Sequence, residues 1–117
     1  MLVGVALFEI HIAGSRSLKE KRTVVRSLRD QLRRRFEVSA AEVALQELHQ
    51  RARIGVAFVV SAAGTADPMF ASLQEFVEGN SEGRLVGWTQ ETLDFDPSVT
   101  LGIPNIEWRE QADEEDS

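Results

Sequence analysis

Two short stretches pair a histidine with a carboxylate, a combination that can move protons near neutral pH. Glu9 and His11 stand two residues apart, as do Glu47 and His49. Such pairs suit acid–base catalysis, and together they could bind a metal ion. Neither pair has the spacing of a motif such as HExxH, and polar surface residues would give the same pattern. We therefore predict no catalytic residue, no metal or cofactor site, no small-molecule substrate and no enzymatic activity.

Clustered positive charge is the other feature that could perform chemistry. Residues 16–35 hold nine Lys or Arg and two acidic residues, a net charge of +7, whereas the rest of the chain holds four basic and seventeen acidic residues, a net charge of −13. The whole chain is acidic, with a formal charge of −6 and a pI of about 4.9. Basic residues gathered within an acidic protein indicate a polyanion or an acidic surface as partner, although a charged helix face is often only solvated.

These cations follow the period of one long helix within residues 14–36. Ser17 followed by Glu20 fits a capping box, which predicts the helix start. Leu18, Val25, Leu28 and Leu32 form an apolar face, and Lys21 can lay its stem along it. Beside that face runs a row that we call the basic ridge: Arg16, Lys19, Arg22, Arg26, Arg29 and Arg33. We predict that this ridge binds phosphates, as in RNA or the ribosome.

Two further features bear on anion binding. The turn GSRS at residues 14–17 could hold a phosphate, because helix N-termini attract anions. It lacks a glycine-rich repeat and a GK[ST] motif, and we expect Glu20 to occupy that end of the helix. The C-terminal EQADEEDS is strongly acidic, either as a solubilising end or as an intramolecular screen for the basic ridge.

The remaining elements must position these residues. Leu2–Ile12 predicts a strand, with Phe8, Ile10 and Ile12 facing the helix. Residues 36–45 predict a second strand, Gln46–Arg51 a polar connection, and residues 53–62 a central strand, because they form the most apolar run. A second helix follows, with Asp67 as N-cap, Pro68 at its first position and Gly79 at its exit. Residues 84–95 predict an edge strand. Further on, Val99, Leu101 and Ile103 could extend the sheet, and Ile106 and Trp108 could fold back on it.

This order, βαββαβ, predicts an α+β fold of the ferredoxin-like type: a four-stranded antiparallel sheet with two helices on one face. We expect residues 1–95 to form that domain and residues 96–117 a C-terminal extension with an acidic tail. The other sheet face would stay uncovered. An alternative to RNA binding is therefore a protein-interaction or homodimerisation module without catalysis, whose interface would include Val3, Val5, Leu7, Glu9 and His11.

Length and composition indicate one soluble globular domain. The chain has 117 residues and no cysteine, which excludes disulfides and thiolate chemistry and fits a reducing compartment. No apolar run approaches the roughly 20 residues that span a bilayer, and the first residues lack the features of a signal peptide. We therefore expect a cytoplasmic protein without a membrane partner.

Several strings resemble the YlxP-like family of small bacterial proteins of unknown function. The most specific is GSRSLKEKR at residues 14–22, preceded by EIHI at residues 9–12, and a later one is FVEGN at residues 76–80. The resemblance covers roughly residues 1–95 and implies the ferredoxin-like fold. Family members are often encoded among genes for translation initiation and ribosome maturation, which implies a ribosome- or RNA-linked role but supplies no catalytic residues. Leu7 replaces a commonly basic residue and His49 a commonly aromatic one, which argues against RNA binding on the sheet face itself.

Overall fold

A computed structural model of the chain describes residues 1–80 and 82–102. Its elements follow in the order β1 (Leu2–His11), α1 (Leu18–Phe36), β2 (Ser39–Ala44), β3 (Arg51–Val60), α2 (Ala66–Glu78) and β4 (Arg84–Asp94). A short 3₁₀ turn, Ala63–Thr65, joins β3 to α2. The predicted order βαββαβ is confirmed.

The four strands form one antiparallel sheet in the order β2-β3-β1-β4. The two most apolar strands, β1 and β3, are central as predicted, and β4 lies at an edge. Both helices pack on one face, so the α+β, ferredoxin-like arrangement is confirmed. The first residue extends the β1–β4 ladder, because Met1 and Phe95 exchange backbone hydrogen bonds of 2.9 Å in both directions.

The first helix begins at the predicted capping residues. The Glu20 backbone N–H donates to Ser17 Oγ at 3.1 Å, and the Glu20 carboxylate accepts from the backbone N–H of Arg16 at 2.6 Å. The carboxylate therefore reaches one residue further back than in the standard capping box, which uses the N–H of the capping residue. The helix ends at Phe36, where Glu37 takes a left-handed conformation with φ of 52°.

The core lies between the sheet and the helices. Phe8 and Ile10 of β1 are buried against helix residues that include Leu28, Leu32, Phe70, Leu73 and Val77. Gly4 is required by a close approach, since a Cβ there would lie 2.3 Å from Cζ of Phe58. That ring in turn meets Phe70 edge-to-face at 5.0 Å. Within the described residues, neither helix combines the length and the apolar character needed to cross a membrane.

Three local predictions need correction. The second helix begins at Ala66, because the 3₁₀ turn leads directly into it, so Asp67 lies in the first turn instead of capping it. Arg51 belongs to β3 and not to the connection, since it pairs with His11 of β1. Phe36 ends α1 instead of starting β2.

The chain after β4 adds no strand over residues 95–102. Val99 and Leu101, which alternate in the sequence, are exposed there. In the described part of the chain, no strand pairs with Val99 or Leu101. The predictions that involve Ile103, Ile106 and Trp108 fall outside the described residues.

Candidate functional site

The basic ridge lies on the side of α1 that faces away from α2 and borders the β2 edge of the sheet. Arg33 marks this side, because its Nη2 donates to the carbonyl oxygen of Ala40 in β2 at 2.7 Å. Arg35 marks the opposite side, since its guanidinium lies 5.1 Å from the centre of the Phe76 ring of α2. The ridge therefore faces solvent.

The six predicted ridge residues fall into two groups. Arg16, Lys19, Arg22 and Arg26 are exposed, and within the described part of the chain none of their side-chain nitrogens lies within 4.0 Å of a carboxylate oxygen. Arg29 forms an ion pair, with its Nη2 3.2 Å from Asp30 Oδ1, and Arg33 donates a hydrogen bond to the carbonyl oxygen of Ala40. At 1.5 Å of rise per residue, the row from Lys19 to Arg26 spans about 10 Å of helix.

Lys21, beside Arg22 in the sequence, is buried and does not belong to this surface. Its Nζ lies 2.9 Å from Glu42 Oε2 and donates to the carbonyl oxygen of Leu45 at 2.6 Å. The Glu42 oxygen is within ion-pair distance but lacks hydrogen-bond geometry. Leu45 has a left-handed backbone with φ of 62°. The ammonium therefore ties α1 to the β2–β3 connection, whereas the sequence predicted only that its stem lies along apolar surface.

The turn before α1 and the β2–β3 connection form an open groove of about 700 Å³. Gln50 joins them. Its side-chain Nε2 donates to the carbonyl oxygen of Ser15 at 3.2 Å, and its backbone carbonyl oxygen accepts from the backbone N–H of Ile12 at 2.8 Å. His49 therefore lies beside the GSRS turn. Since the Glu20 carboxylate already accepts from the Arg16 N–H, the helix start offers a poor place for a phosphate.

In the Glu9–His11 pair, the carboxylate of Glu9 is held by two arginines of β3. Arg53 Nε donates to one oxygen of Glu9 at 2.8 Å, and Arg51 Nε donates to the other at 2.9 Å. These hydrogen bonds, first from Arg53 and then from Arg51, hold the pKa of Glu9 below its usual value, which makes the carboxylate a weaker base. In the described ranges, no three His, Asp or Glu side chains come together as metal ligands.

Sequence reasoning missed both arginine partners of Glu9. Register contained the signal: in an antiparallel β1–β3 pair, Arg53 faces Glu9 and Arg51 faces His11. A similar signal marks the buried pair of Lys21 and Glu42. Lys21 occupies an apolar position of the helix, and Glu42 continues into β2 the inward alternation that begins at Val38. Opposite charges at two core-facing positions indicate an ion pair.

The sheet face opposite the helices is apolar and uncovered in the described residues. Val5 at its centre is 48% exposed. Val59 and Leu93, which flank Val3 in the neighbouring row, are 65% and 61% exposed. Val3 and Leu7 share this face and are partly exposed. The structure therefore places the five predicted interface residues of β1 on one side of the sheet, with Glu9 and His11 at one end.

A further groove of about 710 Å³ lies between the helices. Phe36 of α1 and Phe76 of α2 meet there edge-to-face at 5.6 Å. Because Arg35 lies over the Phe76 ring, the aromatic surface is already occupied by a cation. We assign no ligand to this groove.

Comparison with known proteins supports the family resemblance that the motif at residues 14–22 indicated. A family model described as "Protein of unknown function (DUF503)" matches residues 3–90. The chain is also 30% identical over 81 residues to the uncharacterized protein YlxP of Bacillus subtilis (strain 168), an alignment that covers 69% of this chain and 88% of that protein. The matched range includes the basic ridge and the predicted interface residues of β1, whereas Leu93 of the sheet face lies beyond it.

Proposed function

The chain belongs to the DUF503 family, whose function is unknown, and we propose that it is an RNA- or ribosome-associated protein that binds phosphates through the basic ridge. The proposal describes a binding role without catalysis, in the cytoplasm, where ribosomes are found. One observation carries it: Lys19, Arg22 and Arg26 present three exposed cations on one side of α1, and Arg16 adds a fourth in the turn just before the helix, while none of these side chains has a carboxylate partner among the described residues.

The helix holds its cations in fixed positions, which favours phosphate binding. Ridge residues three or four apart in α1 lie about 5–6 Å from each other, so neighbouring cations can contact successive phosphates of one strand. Buried Val25, Leu28 and Leu32 fix the helix on the sheet, so that binding does not have to order the backbone.

The negative charge of the whole chain is compatible with this role because of where it lies. Residues 1–102 hold twelve basic and thirteen acidic residues, a net charge of −1, and residues 103–117 account for the other −5. A nearly neutral body with a local positive ridge can attract phosphates at short range, since salt screens charges that lie more than roughly 8–10 Å apart.

The ridge supports contacts to the backbone of RNA and not to its bases. It contains Lys and Arg but no aromatic residue on which a base could stack. Phosphate contacts give affinity and steep salt dependence without sequence preference. Sequence-independent binding to structured RNA, including ribosomal RNA, therefore fits the surface best.

The test is co-sedimentation with ribosomal subunits, and titration of a structured RNA, across a series of salt concentrations. We expect the double variant Arg22→Glu/Arg26→Glu to bind at least tenfold more weakly. Because each lost phosphate contact changes the slope of log K against log salt by about 0.7–0.9, the slope should become shallower by roughly 1.4–1.8.

The matched control is Arg34→Glu/Arg35→Glu, which changes the net charge equally at exposed positions of α1 outside the ridge. Nearly unchanged binding of this control would assign the effect to the ridge. Equal losses in both variants would show that only net charge matters, and no binding by the wild type at low salt would refute the proposal. Binding to an acidic protein instead of RNA would assign the ridge to a different class of partner.

A further inference from the structure

We infer that the uncovered sheet face is a homodimer interface, in which a second copy of this chain packs its own sheet face against it. This inference goes beyond the proposed function and does not depend on it. The apolar face consists of Val3, Val5 and Leu7 of β1, Val59 of β3, Leu93 of β4 and Val43 of β2.

Strand register makes these side chains one continuous patch. Val3 faces Val59 on one side and Leu93 on the other, so three apolar side chains cross the sheet in one row. In the row of Leu7, the neighbouring Gly55 leaves space that Val43 partly covers, since a Cβ on that glycine would lie 3.2 Å from a Val43 methyl group. Contiguous apolar patches of this kind mark interaction surfaces.

Charge is kept to the margin of this face, which favours a second copy as occupant. Arg51 and Arg53 gather around Glu9 at one end, Arg84 faces His11 at the same end, and Glu91 faces Val5 from the β4 edge. These five charged residues sum to +1, so two such faces carry little net charge and repel each other only weakly. An apolar centre with a charged rim is the usual anatomy of an interface.

The size of the face suits a dimer. With strands about 4.8 Å apart and a rise of about 3.3 Å per residue, four strands of six to eleven residues present about 600 Å² in projection. The accessible area is larger than this projection, because side chains roughen the surface, and it approaches the roughly 800 Å² that each partner buries in a standard interface. We expect a dissociation constant in the micromolar range.

Face-to-face packing would leave both copies of α1 on the outside. With about 10 Å between sheets and about 10 Å from each sheet to its helix layer, the two helices would lie roughly 30 Å apart. If the ridge binds RNA as proposed, the dimer would offer two ridges to one RNA and raise its apparent affinity. This consequence alone rests on the proposed function.

The test is the oligomeric state of the full chain without RNA, measured by sedimentation velocity from low-micromolar to several hundred micromolar protein. We expect a reversible monomer–dimer equilibrium that persists at high salt, because its centre is apolar. Val5→Glu should weaken dimerisation at least a hundredfold, since each copy would bury a carboxylate without a partner.

Leu48→Glu is the matched control, because Leu48 is 41% exposed on the β2–β3 connection and Val5 is 48% exposed. It should dimerise like the wild type, and circular dichroism should show that both variants are folded. If Val5→Glu does not fold, Val59→Glu, at a 65% exposed position of the same face, replaces it. A wild type that stays monomeric throughout, or a dimer that persists in a folded face variant, would overturn the inference.

Discussion

The two faces of β1 are both apolar, yet their surroundings differ completely. Ala6, Phe8 and Ile10 point to the helices and are at most 1% exposed, whereas Val5, between them and the N-terminus, is 48% exposed on the other face. A central strand of this composition is typical of sheets that are covered on both sides. Alternation of residues therefore separates the two faces of a strand but does not predict what covers each face.

The forces on the two sides of the molecule also differ. The helix side carries exposed cations on α1, and the attraction that we propose between these cations and phosphates would weaken with salt. The open side carries apolar area, whose association does not weaken with salt. Variants that affect one side but not the other therefore test whether the two surfaces are independent.

The largest expected effect separates the two faces of β1. Phe8→Ala should lower the free energy of unfolding by about 3–5 kcal/mol, because it opens a cavity beneath both helices and removes the stack of Phe8 on Trp88. Val5→Ala, three positions away on the open face, should change it by no more than about 0.5 kcal/mol. Urea unfolding at low protein concentration measures both values. Similar losses would mean that the open face is also packed within the monomer.

The next effect separates the buried cation of α1 from an exposed one. Lys21→Met should cost about 3 kcal/mol or more, since it leaves the Glu42 carboxylate mostly buried without its counter-ion. Adding Glu42→Leu should restore much of that loss, because a buried ion pair replaced by apolar side chains is often nearly neutral. Lys19→Met, at an exposed ridge position, should be almost silent in the same thermal and urea measurements. A silent Lys21→Met would contradict the structural role of this pair.

A smaller effect concerns the acidic tail. Removal of residues 103–117 changes the formal charge from −6 to −1 and should strengthen RNA binding several-fold at low salt. It should leave dimerisation unchanged, because the interface proposed above is formed by residues between Val3 and Leu93. Fluorescence titration with RNA and sedimentation velocity measure the two responses on the same protein. Unchanged RNA binding would argue that the tail does not screen the basic ridge.

The smallest effect concerns the charged end of the open face. Since the folded pKa of Glu9 is lowered, its contribution to stability is complete above the ordinary value of 4.5 and is lost as the pH falls through the folded pKa. Glu9→Gln should therefore remove one component of acid destabilisation below about pH 4.5. Glu91→Gln, on the same face and without an ion pair among the described residues, is the control. Identical pH profiles for wild type and Glu9→Gln would contradict the assignment.

Sequence reasoning recovered the elements whose signals are local. The capping box placed the start of α1 because Ser17 and Glu20 are three residues apart in one turn. Apolar alternation identified β1, and the central position of β3 was predicted because it is the most apolar run in the chain. The start of α2 was misplaced because a 3₁₀ turn, and not a capping side chain, leads into it.

The candidate surfaces were predicted less completely, because the state of each side chain depends on distant partners. The helical period found the basic ridge as a row, but it could not show that Arg33 binds a carbonyl of β2 while Arg22 remains free of carboxylate partners in the described residues. It also could not show that Lys21, one position from Arg22, is buried.

By itself, the sequence determined the order of elements, the apolar face of α1 and the separation of positive charge from the acidic remainder of the chain. These depend on residue type and on spacing within single elements. Only the tertiary structure decided that Lys21 pairs with Glu42, that Arg51 and Arg53 hold Glu9, and that one apolar face of the sheet has no cover among the described residues. Each of these follows from the register of strands and the seating of helices, which bring together residues distant in the chain.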